Sequence, residues 1–90
     1  MYATVRHYPD PELSEQLRAR ADDVAAIVAG IPGFRSYTLI HADAGTISVS
    51  VYDDESSAKA SNEAARTWLA ENMPGVTSDH IAGGEVVLSR

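Results

Sequence analysis

The chain has 90 residues, of which 44% are hydrophobic, and its formal net charge is −6. This length and composition predict one globular domain over residues 1–90 and exclude a disordered chain. The sequence contains no cysteine, which excludes disulfides and thiolate metal sites, and the negative charge disfavours nucleic acid and anionic lipid as partners.

No segment is typical of a targeting sequence or a membrane span. Neither a basic leader nor the apolar core of a signal peptide is present in the first residues, MYATVRHYPDPE. No apolar run approaches the roughly 20 residues that a spanning helix needs. We therefore expect a cytoplasmic protein that binds neither membranes nor nucleic acid.

The first third of the chain predicts a strand and then a helix. Residues 2–8 are rich in Tyr, Thr and Val, which is typical of a strand. The stretch DPE at residues 10–12 favours a helix start, because Asp caps free N–H groups, Pro fits the first turn and Glu complements the helix dipole. An apolar stripe at helical spacing predicts a single helix as far as Gly30 and Pro32. Its members are Leu13, Leu17, Ala21, Val24, Ile27, Val28 and Ile31.

The remainder predicts a hairpin, a second helix and a last strand. Residues 34–42 and 46–52 read as strands on either side of a short turn. The run DDESS at residues 53–57 supplies a cap and acidic first-turn residues for a helix, which Pro74-Gly75 ends. The final strand is expected within residues 77–89.

This order of elements predicts an α+β fold of the ferredoxin-like βαββαβ class, with a four-stranded antiparallel sheet and two helices on one face. We assign to the helix-facing side the apolar residues Val5, Leu39, Ile47, Val49, Val51 and Val86 or Val87. The other side is predicted to be mixed and to meet water, a cavity or a second subunit. Its residues are Thr4, Arg6, Ser36, Thr38, Ile40, Ser48, Ser50 and Tyr52.

The chain resembles the antibiotic biosynthesis monooxygenase-like group of dimeric α/β barrels over nearly its whole length. The resemblance is carried by IPGFRSYTLI at residues 31–40, by ISVSVYDDESSAKASNEAARTWLAENM at residues 47–73, and by the βαββαβ order. It implies two sheets packed face to face across a two-fold axis, with the mixed faces inward. It also implies a pocket between the sheet and the helices of each subunit.

Asn62 and Trp68 are candidate functional residues, because the oxygenase branch of this group is associated with an Asn and a Trp in this region. At about 100° per residue they stand roughly 120° apart on the second helix, at opposite margins of its buried side. Trp68 either packs in the core or lines a pocket. Asn62 is either catalytic or bonds to a neighbouring backbone group. The apolar arc between them contains Ala58, Ala65, Leu69 and Met73.

Two residues of the first strand complete the predicted catalytic set with Asn62. Arg6 either orients a carboxylate or enolate or forms an ion pair across subunits. His7, or alternatively His41, either acts as a general base or is an ordinary surface histidine. The three histidines of the chain, with His80 as the third, are separate in sequence and do not predict a metal site.

The pocket is predicted to be lined by Trp68, Tyr37, Tyr52 and Arg20. The two tyrosines either donate hydrogen bonds to a ligand oxygen or simply pack, and Arg20 either binds an anion or extends its charged end to the rim. The haem-degrading branch of the group has an Asn near the end of the first strand, where this chain has His7. We therefore expect no haem, flavin or metal cofactor.

Three functions remain open from the sequence. The protein is a homodimeric, cofactor-independent monooxygenase acting on an aromatic or polyketide-like small molecule, or a non-catalytic dimer that binds a small ligand or has a structural role. A pocket of a few hundred Å³ beside Asn62 and Trp68 would favour an enzyme or a binder, whereas a filled core would favour the structural role.

Overall fold

A computed structural model describes all residues from Met1 to Arg90. The strands are β1 (Tyr2–Tyr8), β2 (Phe34–Ala42), β3 (Gly45–Tyr52) and β4 (His80–Glu85). The helices are α1 (Glu12–Arg18), α2 (Ala21–Ala29) and α3 (Glu55–Asn72). All strand pairs are antiparallel and the sheet order is β2-β3-β1-β4. The predicted α+β, ferredoxin-like fold is therefore confirmed.

The single helix predicted for residues 12–30 is broken at Arg20, so that prediction is wrong. The backbone of Arg20 leaves the helical region, with φ −121° and ψ 30°. The break lets α1 pack on β3 and β2 while α2 packs on β2 and α3. It also places the guanidinium carbon of Arg20 4.8 Å from the ring centroid of Trp68 and its Nη2 3.3 Å from Asp23 Oδ2. Contacts with other elements thus override a continuous helical pattern.

Aspartate side chains accept hydrogen bonds from backbone N–H groups at the starts of α3 and α1, where the sequence predicts them. Asp54 Oδ1 accepts a hydrogen bond from the Ser57 N–H at 2.9 Å, and this bond holds the pKa of Asp54 below its usual value. Asp10 Oδ1 accepts a hydrogen bond from the Glu12 N–H at 2.9 Å. Both carboxylates satisfy N–H groups that have no partner within the helix.

In the two central strands, the faces of the sheet are exchanged relative to the prediction. The helix-facing side of β1 and β3 is buried and mostly polar, and consists of Thr4, Arg6, Tyr8, Thr46, Ser48, Ser50 and Tyr52. The apolar residues of these strands lie on the other side, which no helix covers and which we call the open face. The open face includes Ala3, Val5, Ile40, Ile47, Val49 and Val51.

The exchange has a physical explanation in the hydrogen bonds of the buried hydroxyl groups. Thr46 Oγ1 donates to the Asp10 carbonyl oxygen at 2.9 Å, and the Tyr52 hydroxyl donates to the Val28 carbonyl oxygen at 2.8 Å. A buried hydroxyl is tolerated when it is hydrogen-bonded in this way. In edge strand β2 the prediction for Leu39 is confirmed, because Leu39 packs against the core on the helix side.

The apolar core lies between the helices and the sheet. Its buried cluster consists of Tyr8, Leu13, Leu17 and Leu69, and half-buried side chains packed against it include Trp68 and Met73. The predicted inward arc of α3 is thereby confirmed. No helix in the structure has both the length and the apolar character needed to cross a membrane.

Candidate functional site

The guanidinium of Arg6 lies inside the protein, between the sheet and α3, and only 3% of the residue is exposed. Its Nε donates to Ser48 Oγ at 3.0 Å. Its Nη1 contacts the Ser61 carbonyl oxygen at 3.3 Å and Asn62 Oδ1 at 3.1 Å. None of these partners is a carboxylate. A buried cation without a counter-ion is costly, so its presence indicates a site suited to an anion.

The alternation of β1 directs Arg6 toward the helices. Ser48 lies directly opposite it on β3, and α3 crosses above. Because the larger apolar side chains of β3 point to the open face, the helix side carries small hydroxyl residues that leave room for the guanidinium. The ion pair across subunits, one of the two alternatives for Arg6, does not fit this position, since Arg6 is enclosed by its own chain.

Asn62 is half-buried and holds the Arg6 side chain in place. Its Oδ1 accepts hydrogen bonds from Arg6 Nη1 and from Thr4 Oγ1, the latter at 3.2 Å. The partners are thus side chains rather than a neighbouring backbone group. Asn62 and Arg6 both line a groove of about 230 Å³ that reaches as far as Val76.

Trp68 lines a different space, a cavity of about 30 Å³ on the helix side of the sheet. Tyr8, Tyr37 and Leu39 also line it, and ten of its twelve lining residues are hydrophobic. This volume holds one or two water molecules. Arg6 lines both this cavity and the groove beside Asn62, so its guanidinium stands between them.

A wider cleft of about 300 Å³ adjoins the cavity at the edge of the sheet, between α1, α2 and β2. Its outer end is formed by Ser14 and His41. The cleft and the cavity share four walls, which are Leu17, Val24, Tyr37 and Leu39. A cleft of this size falls within the range of small-molecule sites.

The two predicted pocket tyrosines have different surroundings. Tyr37 lines both the cavity and the cleft, and burial raises the pKa of its hydroxyl, so at neutral pH it is a hydrogen-bond donor. Tyr52 is fully buried and lines neither space. Its hydroxyl is bonded to the Val28 carbonyl oxygen and its ring meets Phe34 edge-on, with ring centroids 5.9 Å apart. The surroundings of Tyr52 are those of a packing residue.

The structure does not bring His7 together with Arg6 and Asn62. His7 is adjacent to Arg6 in β1 and therefore points to the opposite, open face of the sheet. There its Nδ1 lies 2.6 Å from Asp79 Oδ1. His41, the other histidine considered as a base, lies on the helix side at the cleft.

The residues of the site that the sequence analysis did not identify are serines. Ser48 contacts Arg6, and Ser14 contacts His41. Ser50 Oγ is buried without a hydrogen-bond partner. The alternation of hydroxyl residues along β3 was visible in the sequence, but it was assigned to the wrong face of the sheet.

No family model matches the chain, and a comparison with curated proteins finds no match in sequence. Solved structures are similar over nearly the whole chain. One is MhuD, a heme-degrader from Mycobacterium tuberculosis with two hemes bound in its active site, at 18% identity and a TM-score of 0.70, covering 100% of this chain and 99% of that one.

A second is a variant of SnoaB, a cofactor-independent oxygenase from Streptomyces nogalater, at 19% identity and a TM-score of 0.67, covering 98% of this chain and 94% of that one. A third is a protein from Chloroflexus aurantiacus proposed to be an antibiotic biosynthesis monooxygenase, at 20% identity and a TM-score of 0.69. The match covers 99% of this chain and 95% of that one. The chain therefore has the fold of antibiotic biosynthesis monooxygenase-like proteins, and the resemblance seen in the sequence is confirmed at that level.

The residues of the cavity do not fit a haem group. No histidine lines it, because His7 and His80 pair across β1 and β4 on the open face and His41 stands at the outer cleft. No group of three His, Cys, Asp or Glu side chains is arranged to hold a metal ion. The helix side thus lacks a histidine positioned beside Trp68 as an axial ligand.

Proposed function

We propose that the protein is a cofactor-independent monooxygenase that binds the anion of an enolisable aromatic or polyketide-like molecule at Arg6. The observation that carries this proposal is the buried guanidinium without a carboxylate partner. An enolate or phenolate oxygen would supply the missing negative charge, and the apolar walls suit aromatic rings. The fold shared with SnoaB supports the same class of reaction.

In this mechanism the protein stabilises the substrate anion and the substrate reduces oxygen. Arg6 donates hydrogen bonds to the substrate oxyanion and lowers the pKa of the bound enol or phenol. Asn62 and Ser48 hold the guanidinium in place. Tyr37, protonated at neutral pH, donates to a second substrate oxygen.

The reaction needs no external reductant. The carbanion form of the substrate transfers electrons to O₂, and a C–O bond forms to give a substrate hydroperoxide. Loss of water from this hydroperoxide converts a CH₂ group into C=O. One O₂ is consumed, one of its oxygen atoms remains in the product and the other leaves in H₂O.

A second candidate function is a non-catalytic binding protein for the same class of anion. The observation that favours it is the lining of the cavity between Arg6 and Trp68, which contains neither a carboxylate nor a histidine. The cavity also has to widen before an aromatic ring enters, since its volume is only about 30 Å³.

A hydroxyanthrone in air-saturated buffer tests these functions, with quinone formation followed by absorbance and oxygen uptake by electrode. The monooxygenase is expected to accelerate the reaction with one O₂ consumed per quinone. Arg6→Gln should slow turnover about 100-fold, as loss of an oxyanion donor does. Arg35→Gln is the matched control, because Arg35 is exposed and pairs with Asp53. Binding without turnover would instead support the second function.

We also propose that two copies of the chain pair through the open face. Val5, Ile47, Val49 and Val51 lie side by side there, and Ile40 at the margin is 40% exposed. A contiguous apolar face of this kind is unfavourable in water and is covered when an identical face packs against it across a two-fold axis. The apolar face, rather than a mixed one, then lines the dimer interface. A monomer in sedimentation at micromolar concentration would contradict this proposal.

A further inference from the structure

We infer that His41 is the proton acceptor of the proposed reaction and that Ser14 positions its imidazole ring. This inference rests on the proposed function, because the proton it removes belongs to the aromatic substrate. It extends the site beyond Arg6 to the outer end of the cleft between α1, α2 and β2.

The hydrogen bonds of Ser14 determine which nitrogen of His41 is basic. Ser14 Oγ lies 2.8 Å from the Pro11 carbonyl oxygen and also within hydrogen-bonding distance of His41 Nδ1. A carbonyl oxygen only accepts, so the serine hydroxyl donates its proton to Pro11. Ser14 Oγ then accepts a hydrogen bond from Nδ1–H of His41. The lone pair of the neutral imidazole is therefore on Nε2, which is free to take a proton.

The position of His41 follows from the register of the sheet. His41 lies opposite Thr46, which is fully buried on the helix side, and Ser14, which is 4% exposed, fixes the ring from α1. Because Ser14 is held by the Pro11 carbonyl oxygen at the start of α1, the imidazole is tied to the backbone of a helix. The ring is thus held in one orientation at the end of the cleft.

No other group at the cleft accepts a proton at neutral pH. From α1 the cleft is lined by Arg18, whose guanidinium has only hydrogen-bond donors and lies 3.4 Å from Glu15. From β2 it is lined by Tyr37, whose pKa is raised by burial. The residues that α2 contributes are alanines and a valine, and no residue of β3 lines the cleft. His41 is therefore the base that this cleft offers.

The separation of His41 from Arg6 suits a planar substrate of two or three fused rings. Arg6, Ser48 and Leu39 form one row across three strands, and His41 lies two residues beyond Leu39 on β2. With strands about 4.8 Å apart and a rise of about 3.4 Å per residue, the Cα atoms of Arg6 and His41 are roughly 12 Å apart. The apolar walls shared by the cavity and the cleft lie between them.

The two ends of the site then have complementary roles. His41 Nε2 takes a proton from the acidic C–H of the substrate, and the electron pair of that bond moves into the ring system. The resulting negative charge is placed on the oxygen that faces Arg6. The protonated imidazole gives its proton to the peroxide anion that forms when O₂ adds to the substrate carbon. His41 then removes the second C–H proton of that carbon, and the O–O bond breaks as the C=O bond forms. The departing hydroxide takes this proton from the imidazole and leaves as water.

Hydrogen–deuterium exchange of a hydroxyanthrone under nitrogen tests this inference without requiring oxygenation. The wild-type protein in D₂O is expected to accelerate exchange of the acidic CH₂ group, measured by proton NMR. His41→Gln should lose at least about 100-fold of this acceleration, in the range typical of a lost general base. His80→Gln on the open face is the matched control and should exchange at the wild-type rate. The melting temperature of each variant establishes that it is folded.

The pH profile of exchange separates a positioning role of Ser14 from a structural one. Ser14→Ala should change the pH dependence of exchange, because Nδ1 loses its acceptor and the tautomer is no longer fixed, whereas Ser14→Thr should restore the wild-type profile. A purely structural role would lower the melting temperature without moving the profile, and that result would overturn the assignment of Ser14.

The outcomes distinguish this inference from the proposed function. Exchange that the wild type accelerates and His41→Gln loses, without any oxygenation, would contradict the monooxygenase proposal and still support His41 as the base. Oxygenation that is unaffected in His41→Gln would overturn the inference and leave the role of Arg6 intact. Absence of protein-accelerated exchange in the wild type would overturn the inference directly.

Discussion

The two faces of this sheet have opposite chemistry. Its helix side carries hydroxyl groups and a buried arginine, whereas the open face carries valines and isoleucines. In a two-layer domain the apolar face of a sheet ordinarily packs on the helices. The comparison teaches that the interior of this chain combines a buried charge with apolar walls, whereas the apolar face of its sheet has no helix to cover it.

The polar helix side is stable because most of its hydroxyl groups have partners. Thr4 Oγ1 donates to Asn62 Oδ1 at 3.2 Å, and the Thr46 and Tyr52 hydroxyls each donate to a backbone carbonyl oxygen. Arg6 differs from them, since its hydrogen bonds satisfy its donors but do not neutralise its charge. Arg6 is therefore the one buried side chain on the helix side whose charge has no partner.

Trp68→Ala should have the largest effect on the helix side. We expect the free energy of unfolding to fall by about 3 kcal/mol, near the low end for loss of a packed Trp because the residue is half-buried. The cation–π contact with Arg20 is lost as well. Chemical denaturation measures the change, with the exposed neighbour Thr67→Ala as control. Wild-type stability in Trp68→Ala would contradict a packing role for the indole.

Val49→Asp should have the largest effect on the open face. Val49 lies between Val5 and Thr38 at the centre of that face. In the proposed dimer a carboxylate placed there in both copies would be buried without a partner, so we expect the dissociation constant of that dimer to rise at least about 100-fold, or about 2.7 kcal/mol. Sedimentation over a range of concentrations measures it, with Thr67→Asp on the outer side of α3 as control. An unchanged dissociation constant would place the interface elsewhere.

Asn62→Ala should have an intermediate effect on the helix side. We expect a loss of about 1–3 kcal/mol of stability, because Thr4 Oγ1 loses its acceptor and Arg6 Nη1 loses one of its two acceptors. Asn72→Ala is the matched control, since the Asn72 side chain makes one exposed hydrogen bond to the Trp68 carbonyl oxygen at the end of α3. Thermal melts compare the two variants. If Asn62→Ala loses activity without losing stability, its amide serves the substrate rather than the guanidinium.

Alkaline pH should have the smallest and most graded effect. Burial raises the pKa of Tyr8, Tyr37 and Tyr52 above the ordinary value of 10.0. Above about pH 10 the folded protein therefore holds more protons than the unfolded chain, so the free energy of unfolding decreases as pH rises further. The stability associated with these three protonated tyrosines is fully present below about pH 10.

Tyr52→Phe sharpens the alkaline test. The variant should lose about 1 kcal/mol at neutral pH with its bond to the Val28 carbonyl oxygen. It should also show a shallower decline of stability above about pH 10, because one of the shifted groups is absent. Denaturant unfolding between about pH 7 and 11 measures both effects. An equally steep decline would mean that Tyr52 does not contribute to it.

The order of elements could be predicted from sequence because its signals are local. The cap at Asp54, the acidic first turn of α3 and the Pro-Gly pair that follows this helix act within a few residues. The break between α1 and α2 at Arg20 could not be predicted from sequence. Neither Gly nor Pro marks it, and the apolar stripe continues through it. It depends on contacts with Trp68 and with the sheet.

The assignment of sheet faces failed for a different reason. Alternation divides the residues of a strand into two sets but does not say which set meets the helices, and here a polar set meets them. The same alternation does show that Arg6 and His7, as neighbours in β1, point to opposite faces. One catalytic pocket therefore could not have contained both, and this conclusion was available from the sequence. The contact of Arg6 with Asn62, 56 residues apart in the chain, was not.

The uncompensated charge of Arg6 has a consequence for how this protein responds to selection for thermostability. Replacing a buried ionic group with a well-packed apolar one is often neutral or stabilising, so Arg6→Met is expected to leave the empty fold at least as stable as the native one. A bound anion would reverse that ranking, because it stabilises only the chain that retains the arginine. Screening variants for heat resistance alone would thus favour the substitution that abolishes binding. Screening in the presence of the ligand would instead retain Arg6.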